Sequence, residues 1–304
     1  MEGGPPDQNY AMPAPQDDEY SEIGWGPAKF GEKISAFNFP RTKVTDNMVK
    51  YEMLYAGICH TDIHFADGGF GPQKFPMVPG HELLGKVTEV GSKVTKAKVG
   101  DIVAVGCLVD SCLDCKMCKS DDEQMCDKGN SMTYGAERKH GRIGGNLSLP
   151  TYGGYSGSHV CHEHFIVNIP EGMDLEKTAP ILCAGITMYD PLRHWGFLGD
   201  CKGKTVGIVG VGGLGTMGIK IAKAQGHTVV AISRGTKKAE MAKVKGASHT
   251  VDSTDPASIE ASPKCDIILN TVSANHDLNV YLPLLAKNGN LVQIGAAPAP
   301  HAIS

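Results

Sequence analysis

Apolar and β-branched residues come in short runs in the first 170 residues, and glycine and proline separate these runs. The runs predict strands at residues 49–54, 85–90, 101–105 and 164–169. Beyond Pro180 the apolar runs alternate with amphipathic stretches. They predict strands at residues 205–210, 228–233, 249–252, 265–271 and 291–295, with helices between most of them, including about 237–245 and the stretch that ends at Gly226. Strands alternating with helices indicate a parallel, doubly wound sheet, so the chain is predicted to be α/β overall, with a mostly β part first.

The chain has 304 residues, which allows about two domains, and its hydrophobic share of 41% is enough for packed cores. We predict a disordered tail at residues 1–20, a mostly β domain at 21–180 and a nucleotide-binding domain at 181–304. A formal net charge of −4 excludes a protein that is basic overall and coats nucleic acid. Neither an apolar run of transmembrane length nor a secretory signal is visible, so we expect a cytoplasmic protein without a membrane partner.

A glycine-rich turn follows the first strand of the second part. Gly210, Gly212 and Gly215 form Gly-x-Gly-x-x-Gly, with Gly213 and Leu214 inside the motif. Between a strand and a helix, the first glycine permits the tight turn, the second lets the backbone approach a pyrophosphate, and the third lets the helix pack on the strand. The free N–H groups of the helix N-terminus bind the phosphate oxygens. The pattern favours dinucleotide binding over a purely structural turn.

The end of the second strand of this part indicates which dinucleotide binds. NAD-binding proteins usually carry an acidic residue there for the ribose 2′-hydroxyl. In this chain Ser233 is followed by Arg234, and Lys238 lies four residues further on. A guanidinium can hold a phosphate through two hydrogen bonds, and a lysine adds a point charge. The sequence therefore favours NADP(H) over NAD(H), and a solvated basic loop is the alternative.

Four cysteines cluster in a lobe of about residues 107–130, at Cys112, Cys115, Cys118 and Cys126. Ten cysteines without a secretory signal point to metal binding or thiol chemistry rather than to disulfides. Four thiolates without an open position are typical of structural zinc, and an iron–sulfur cluster is the alternative that spacing leaves open. A DNA-reading zinc finger is disfavoured, because acidic residues 121–123 stand where a basic recognition helix would be needed.

Further candidate metal ligands are dispersed along the chain. They lie in Gly-Ile-Cys-His-Thr-Asp-Ile-His at residues 57–64, in Gly-His-Glu-x2-Gly-x5-Gly at 80–91 and in Cys-Ala-Gly-Ile-Thr at 183–187. Together with the four-cysteine lobe, Tyr-Gly-Gly-Tyr at 152–155 and the glycine-rich turn, these motifs resemble the zinc-dependent medium-chain alcohol dehydrogenases, and most closely their cinnamyl-alcohol-dehydrogenase-like branch. The resemblance runs from about Trp25 to Ala297. It implies a GroES-like catalytic domain followed by an NADP-binding Rossmann domain.

The resemblance also implies which residues bind metal. Cys59, His81 and Cys183 match the ligands of a catalytic zinc, and three protein ligands leave a fourth position open for water or substrate. Glu82 matches a carboxylate that lies beside this metal and can approach it. The four cysteines of the lobe match the ligands of a structural zinc, so two zinc ions per chain are implied.

Other matched residues serve proton transfer and the cofactor. Thr61 and His64 match proton-relay positions, for which a hydroxyl and an imidazole titrating near neutrality are suited. Thr187 and Ser233 match cofactor contacts. Thr271 and Gly295, near the ends of the fourth and fifth predicted strands, are expected at the cofactor edge.

The implied activity is hydride transfer between NADP(H) and a primary alcohol or aldehyde, with aromatic or allylic compounds as candidate substrates. The alternatives are a non-catalytic, zinc-stabilised nucleotide-binding protein and a reductase of conjugated C=C or iminium bonds on the same scaffold. Five strands are counted in the second part, one fewer than a complete sheet of this kind, so we expect a Rossmann domain without its last strand. A homodimer is expected for a complete family member and less so for this chain.

Overall fold

The computed structural model describes residues 12–297, 299–301 and 303, and it divides into two compact units, Met1–Cys183 and Ala184–Ser304, called here the β unit and the α/β unit. The strands of the β unit are β1 (Glu19–Gly26), β2 (Ser35–Thr42), β3 (Met48–Ala56), β4 (Leu83–Val90), β5 (Ile102–Val105), β6 (Leu108–Asp110), β7 (Ser131–Met132), β8 (Ser158–His162) and β9 (Val167–Asn168). Its α-helices are α1 (His60–Ala66) and α2 (Leu175–Thr178), and its 3₁₀ turns cover Cys118–Ser120, Glu123–Met125, Glu163–Phe165 and Ala179–Leu182.

An antiparallel sheet in the order β8-β3-β4-β5-β9 forms the centre of the β unit. Successive side chains of a strand point to opposite faces, so the apolar residues at alternate positions share one face. Val49 and Tyr51 of β3, Leu83 and Val87 of β4 and Val103 of β5 meet in one buried cluster. This cluster fixes the register of β3 against β4, and that register positions the candidate metal ligands described below.

The α/β unit alternates helices and strands as α3 (Ala184–His194), β10 (Thr205–Val209), α4 (Gly213–Ala224), β11 (Thr228–Ser233), α5 (Ala239–Lys245), β12 (His249–Asp252), α6 (Pro256–Glu260), β13 (Cys265–Asn270), a 3₁₀ turn (Asn279–Leu284) and β14 (Leu285–Gln293). All its strand pairs are parallel, in the order β12-β11-β10-β13-β14. The strands are apolar on both faces, and one buried cluster covers each face. The strand order reverses between β10 and β13, which places a crevice at their carboxyl ends.

The predicted doubly wound sheet is present, and four of its five strands lie within one residue of the predicted bounds. The fifth, β14, begins at Leu285 rather than at residue 291. The prediction of a strand at residues 164–169 is wrong in its first half. There the amide of His164 donates to Nδ1 of His162, while the Glu163 carboxylate accepts from two loop amides, so the chain makes a 3₁₀ turn before the short β9.

The tail predicted at residues 1–20 also needs correction at its end. β1 begins at Glu19, whose buried carboxylate accepts from the amides of Gln16 and Asn146, and this anchoring orders the last residues of the segment. Residues 1–11 lie outside the described part of the chain. Within the described part, no helix has the length and apolar character needed to cross a bilayer.

Candidate metal and cofactor sites

The pairing of β3 with β4 brings two distant segments of the β unit together. Ala56, at the end of β3, lies opposite Leu83, at the start of β4, so the residues that follow β3 lie beside those that precede β4. Cys59 is the N-cap of α1, and Cys183 ends the 3₁₀ turn that packs against β4 and β5. As a result, single donor atoms of four residues all lie within 4.8 Å of one another, namely those of Cys59, His81, Glu82 and Cys183.

The geometry and chemistry of this cluster fit a zinc ion. The sulfur atoms of Cys59 and Cys183 are 3.7 Å apart. In a tetrahedral site with zinc–sulfur distances of about 2.3 Å, neighbouring ligands are separated by about 3.8 Å. Two thiols, one imidazole and one carboxyl group are also the ligand types that zinc prefers. Closed structural zinc sites are built of cysteine and histidine, whereas a carboxyl group among the donors is found in catalytic sites.

Asp62 orients the imidazole of His81 in this cluster. The Nδ1 atom of His81 lies 3.1 Å from Oδ1 of Asp62, while its Nε2 atom is buried without a hydrogen-bond partner in the protein. Burial lowers the pKa of His81, but the interactions with Asp62, Cys183 and Cys59 outweigh it and raise the pKa to about 12. The surroundings therefore favour a positive charge at Nε2, which is what a bound metal ion supplies.

Gly57 makes room for the carboxyl group of Glu82. A Cβ atom at Gly57 would lie 1.9 Å from Oε2 of Glu82, and the Gly57 amide donates to the Glu82 backbone carbonyl over 2.9 Å. Burial, and then the charge of Cys59, raise the pKa of Glu82 to about 7. A glycine at this position thus lets the carboxyl group reach the ligand cluster.

The two candidate relay residues lie on α1, directly after Cys59. The Cys183 thiol and burial raise the pKa of the Cys59 thiol to about 11, and interactions with His81 and with the hydroxyl and amide of Thr61 offset part of that rise. His64 lies one turn along the helix and stacks on His60, with ring centroids 4.6 Å apart. The structure thus places Thr61 at the ligand cluster and His64, half-buried, one turn further along the same helix.

The four cysteines of the lobe also come together. Sulfur–sulfur distances are 3.8 Å for Cys112–Cys118, 3.5 Å for Cys115–Cys118 and 3.9 Å for Cys115–Cys126. These values again match the edges of a tetrahedron about 2.3 Å from a central zinc. Free thiols rather than disulfides are present, and the sulfurs themselves form the buried cluster of this lobe. The lobe therefore fits a closed structural zinc site.

The glycine-rich turn of the α/β unit has the geometry that phosphate binding requires. Gly210 has φ of +88°, which permits the tight turn after β10. A Cβ atom at Gly215 would lie 1.8 Å from the Gly210 carbonyl oxygen, so only glycine lets α4 pack this close to the strand. At Gly212 and Gly213 a Cβ atom would meet no protein atom within 4 Å. The open space in front of the N-terminus of α4 therefore fits a pyrophosphate.

The other predicted cofactor contacts occupy five places in the α/β unit. Ser233 ends β11, and Arg234 and Lys238 are exposed on the loop between β11 and α5. Thr271 follows β13, at the crevice, and its hydroxyl donates to the Val209 carbonyl over 2.8 Å. The remaining positions are Leu214 in the first turn of α4, Thr187 in the first turn of α3 and Gly295 just beyond β14.

Sequence reasoning assigned no role to several residues that shape the metal cluster. Asp62 stands inside the 57–64 motif, yet an acid on a short helix gives no sign that it will be buried against an imidazole. Tyr155 belongs to the Tyr-Gly-Gly-Tyr motif, and its hydroxyl lies 2.7 Å from Oδ2 of Asp62. The proximity of these two motifs could have been found only from the pairing of β3 with β4 and the path of the chain beside it.

Comparisons with known proteins cover most of the chain. The family described as "Alcohol dehydrogenase GroES-like domain" matches residues 45–171, and "Zinc-binding dehydrogenase" matches residues 213–304. The probable formaldehyde dehydrogenase AdhA of Bacillus subtilis is 47% identical over 90% of this chain and 75% of its own length. The NADP-dependent alcohol dehydrogenase C 1 of Mycolicibacterium smegmatis is 45% identical over 88% of this chain and 75% of its own length. The crystal structure of CAD from Helicobacter pylori complexed with NADP(H) superposes with a TM-score of 0.83 at 38% identity, covering 92% of this chain and 77% of that one.

Proposed function

Because the chain belongs to the zinc-dependent medium-chain alcohol dehydrogenase family, in its cinnamyl-alcohol-dehydrogenase-like branch, we propose that it transfers hydride between NADP(H) and a primary alcohol or aldehyde. The single observation that carries the proposal is the cluster of two thiols, a buried imidazole with an unpartnered Nε2 atom and a carboxyl group. Aromatic or allylic compounds are the candidate substrates, because some of the relatives are named cinnamyl alcohol dehydrogenases.

In this proposal Cys59, His81 and Cys183 hold the catalytic zinc, with the carboxyl group of Glu82 beside them. When bound, zinc supplies a Lewis acid for the substrate oxygen, and NADP(H) supplies or accepts the hydride. Asp62 keeps Nδ1 of His81 occupied, so that only Nε2 is available to the metal. The four cysteines of the lobe hold the second zinc, which stabilises the fold without taking part in the chemistry.

Proton transfer is assigned to α1. The Thr61 hydroxyl lies at the ligand cluster and can both accept and donate a proton, so it suits the step next to the reacting oxygen. His64 lies one turn further along the helix and is half-buried, and an imidazole there can both accept and donate a proton. The cofactor's pyrophosphate is assigned to the N-terminus of α4 and its 2′-phosphate to Ser233, Arg234 and Lys238.

The direct test combines zinc analysis with an activity assay. The purified chain is expected to contain two zinc ions and to oxidise NADPH in the presence of an aromatic aldehyde, followed by the loss of NADPH absorbance. Two zinc ions without turnover would favour a non-catalytic nucleotide-binding protein. Reduction of a C=C bond with the carbonyl left intact, seen by product analysis, would favour the scaffold-sharing reductase.

The cofactor assignment has its own test in Arg234→Ala. Hydrogen bonds to a charged group contribute about 1.5–3 kcal/mol, so we expect NADPH to bind roughly 10- to 100-fold more weakly, with little change for NADH. The matched control is Lys237→Ala, which removes an exposed cation from the same loop and should leave the preference for NADPH intact. Equal losses for both cofactors in Arg234→Ala would contradict the 2′-phosphate assignment.

Two broader assignments complete the proposal. A reducing, cytoplasmic compartment suits a chain whose ten cysteines are free and whose metal clusters depend on thiolates. The homodimer of the family remains a prediction for this chain. Sedimentation of the purified chain measures whether it forms.

A further inference from the structure

The Tyr-Gly-Gly-Tyr motif at residues 152–155 runs alongside the segment that precedes β4. The Gly153 amide donates to the Val78 carbonyl over 2.7 Å, and the Gly154 amide donates to the Gly80 carbonyl over 3.1 Å. A Cβ atom at Gly153 would lie 2.4 Å from the carbonyl oxygen of Gly80. The glycines of the motif therefore let the two backbones approach, and this approach delivers Tyr155 to the residue that precedes His81.

The ring of Tyr155 is held in place by its neighbours. A Cβ atom at Gly80 would lie 2.7 Å from Cδ1 of the ring, so the ring packs on a position where only glycine leaves space. The Tyr155 amide donates to the Pro79 carbonyl, and its own carbonyl accepts from the amide of Trp25 in β1. These contacts hold both the backbone and the ring of Tyr155.

The hydroxyl group of Tyr155 donates to the carboxylate of Asp62. The Tyr155 hydroxyl lies 2.7 Å from Oδ2 of Asp62, and the Cys59 amide donates to the same oxygen over 2.9 Å. The other carboxylate oxygen lies 3.1 Å from both the Gly80 amide and Nδ1 of His81. Asp62 is only 4% exposed, so four protein donors surround a buried carboxylate.

We propose that Tyr155 is a positioning residue for the catalytic metal site, acting through Asp62 on the orientation of His81. The inference rests on the proposed ligand set of Cys59, His81 and Cys183. Of these four donors, only the phenol comes from a segment that carries none of the proposed ligands. The buried hydroxyl of Tyr134 also interacts with Asp62 from such a segment, but it makes no hydrogen bond as short as that of the Tyr155 phenol. Without the Tyr155 hydroxyl, one oxygen of a buried carboxylate loses a strong donor, and the carboxylate can turn away from the imidazole.

The test uses Tyr155→Phe, which keeps the ring on Gly80 and removes only the hydroxyl. Release of zinc to a coloured chelator should become about tenfold faster for one of the two ions, while the other, held by the lobe, is released at the wild-type rate. In cobalt-substituted protein, the visible bands of the cobalt in the Cys59, His81 and Cys183 site should shift or change in intensity. The matched control is Tyr20→Phe, which removes a phenol that bonds to Ser158 elsewhere in the β unit and should change neither readout.

The possible results separate the inference from the proposal on which it rests. Unchanged zinc release with an unchanged cobalt spectrum in Tyr155→Phe would overturn the positioning role. Faster release of both ions together would also overturn it, because it would show a general loss of structure. The ligand set is tested independently with Cys59→Ala, which should hold one zinc. If that variant held two, the proposed function itself would fail, whatever Tyr155→Phe showed.

Discussion

The two thiol clusters of the β unit have the same spacing between sulfurs but are built differently. Sulfur pairs are 3.5–3.9 Å apart in the lobe and 3.7 Å apart between Cys59 and Cys183. The lobe takes its ligands from a single stretch that ends 14 residues after it begins, from Cys112 to Cys126, whereas the other cluster draws on residues 124 positions apart. One cluster is local in sequence, and the other exists only once the sheet has formed.

This difference determines what a metal ion does in each place. In the lobe the cysteine sulfurs are themselves the buried cluster, so the ion replaces a hydrophobic core. Around the dispersed ligands the sheet already provides a core, and the protein adds Asp62 behind His81 and Gly57 beside Glu82. Removing metal should therefore unfold the lobe but leave the dispersed site folded and inactive.

The largest effect is expected for Cys118→Ala in the lobe. Structural zinc contributes about 10–16 kcal/mol of apparent binding free energy in small zinc domains, so we expect the free energy of unfolding to fall by more than about 5 kcal/mol. Denaturant titration together with zinc analysis measures this loss. The control is Cys161→Ala, a fully buried thiol outside both clusters, which should cost only about 1 kcal/mol and retain both zinc ions. Similar losses in the two variants would mean that the lobe does not depend on metal.

A smaller and different effect is expected for Cys59→Ala. The rate of hydride transfer should fall by at least about 1,000-fold, which corresponds to about 4 kcal/mol of transition-state stabilisation, while unfolding changes little. Zinc content should drop from two ions to one. As a control, Cys201→Ala removes a partly exposed thiol of the α/β unit and should leave activity and zinc content unchanged. Retained turnover in Cys59→Ala would refute its role as a ligand.

The same contrast explains how far the sequence could predict the molecule. The lobe could be predicted from spacing alone, because four thiols so close in sequence have few other uses, and the structure brings all four together. The dispersed ligands were identified only through family resemblance, which the comparisons confirm together with the α/β fold class. Nothing local in the sequence brings Cys59 to Cys183, since that proximity arises from the pairing of β3 with β4 and the return of the chain after β9.

The residues that support the dispersed site were harder to predict than its ligands. Asp62 and Tyr155 are ordinary polar residues in sequence, and their contact depends on Gly80 and Gly153 allowing two backbones to approach. The strand prediction at 164–169 failed in its first half for a related reason, since the His162 side chain accepts from the His164 amide, which a strand would need, and the Glu163 carboxylate accepts from the amides of Thr95 and Lys96. In both cases the local structure depends on a contact between side chains or between distant segments, and the pattern of residues along the sequence does not predict such contacts.

The segment that carries Tyr155 packs against a buried charged side chain. Arg41 is 5% exposed and donates to the carbonyls of Tyr152 and Gly153 and to the hydroxyl of Ser156, which flank Tyr155. His159 is buried nearby, and its burial, together with the charge of Arg41, holds its pKa well below its ordinary value. Its imidazole is therefore neutral in the folded protein at pH values where the unfolded chain would bind a proton.

The smallest predicted effect is the pH dependence that follows from His159. Below the ordinary histidine pKa of about 6.5, His159 binds a proton in the unfolded chain but not in the folded protein. The free energy of unfolding therefore decreases as the pH falls. The contribution between pH 7.5 and pH 5.5 is about 1.4 kcal/mol for one proton, and it should be absent in His159→Gln. Denaturant titrations of both proteins at the two pH values measure the difference, and His249→Gln, an exposed histidine of the α/β unit, should behave as the wild type does. Equal pH dependence of the free energy of unfolding in His159→Gln and the wild type would show that His159 does not cause the loss of stability in acid. The loss would then come from other titratable groups of the chain.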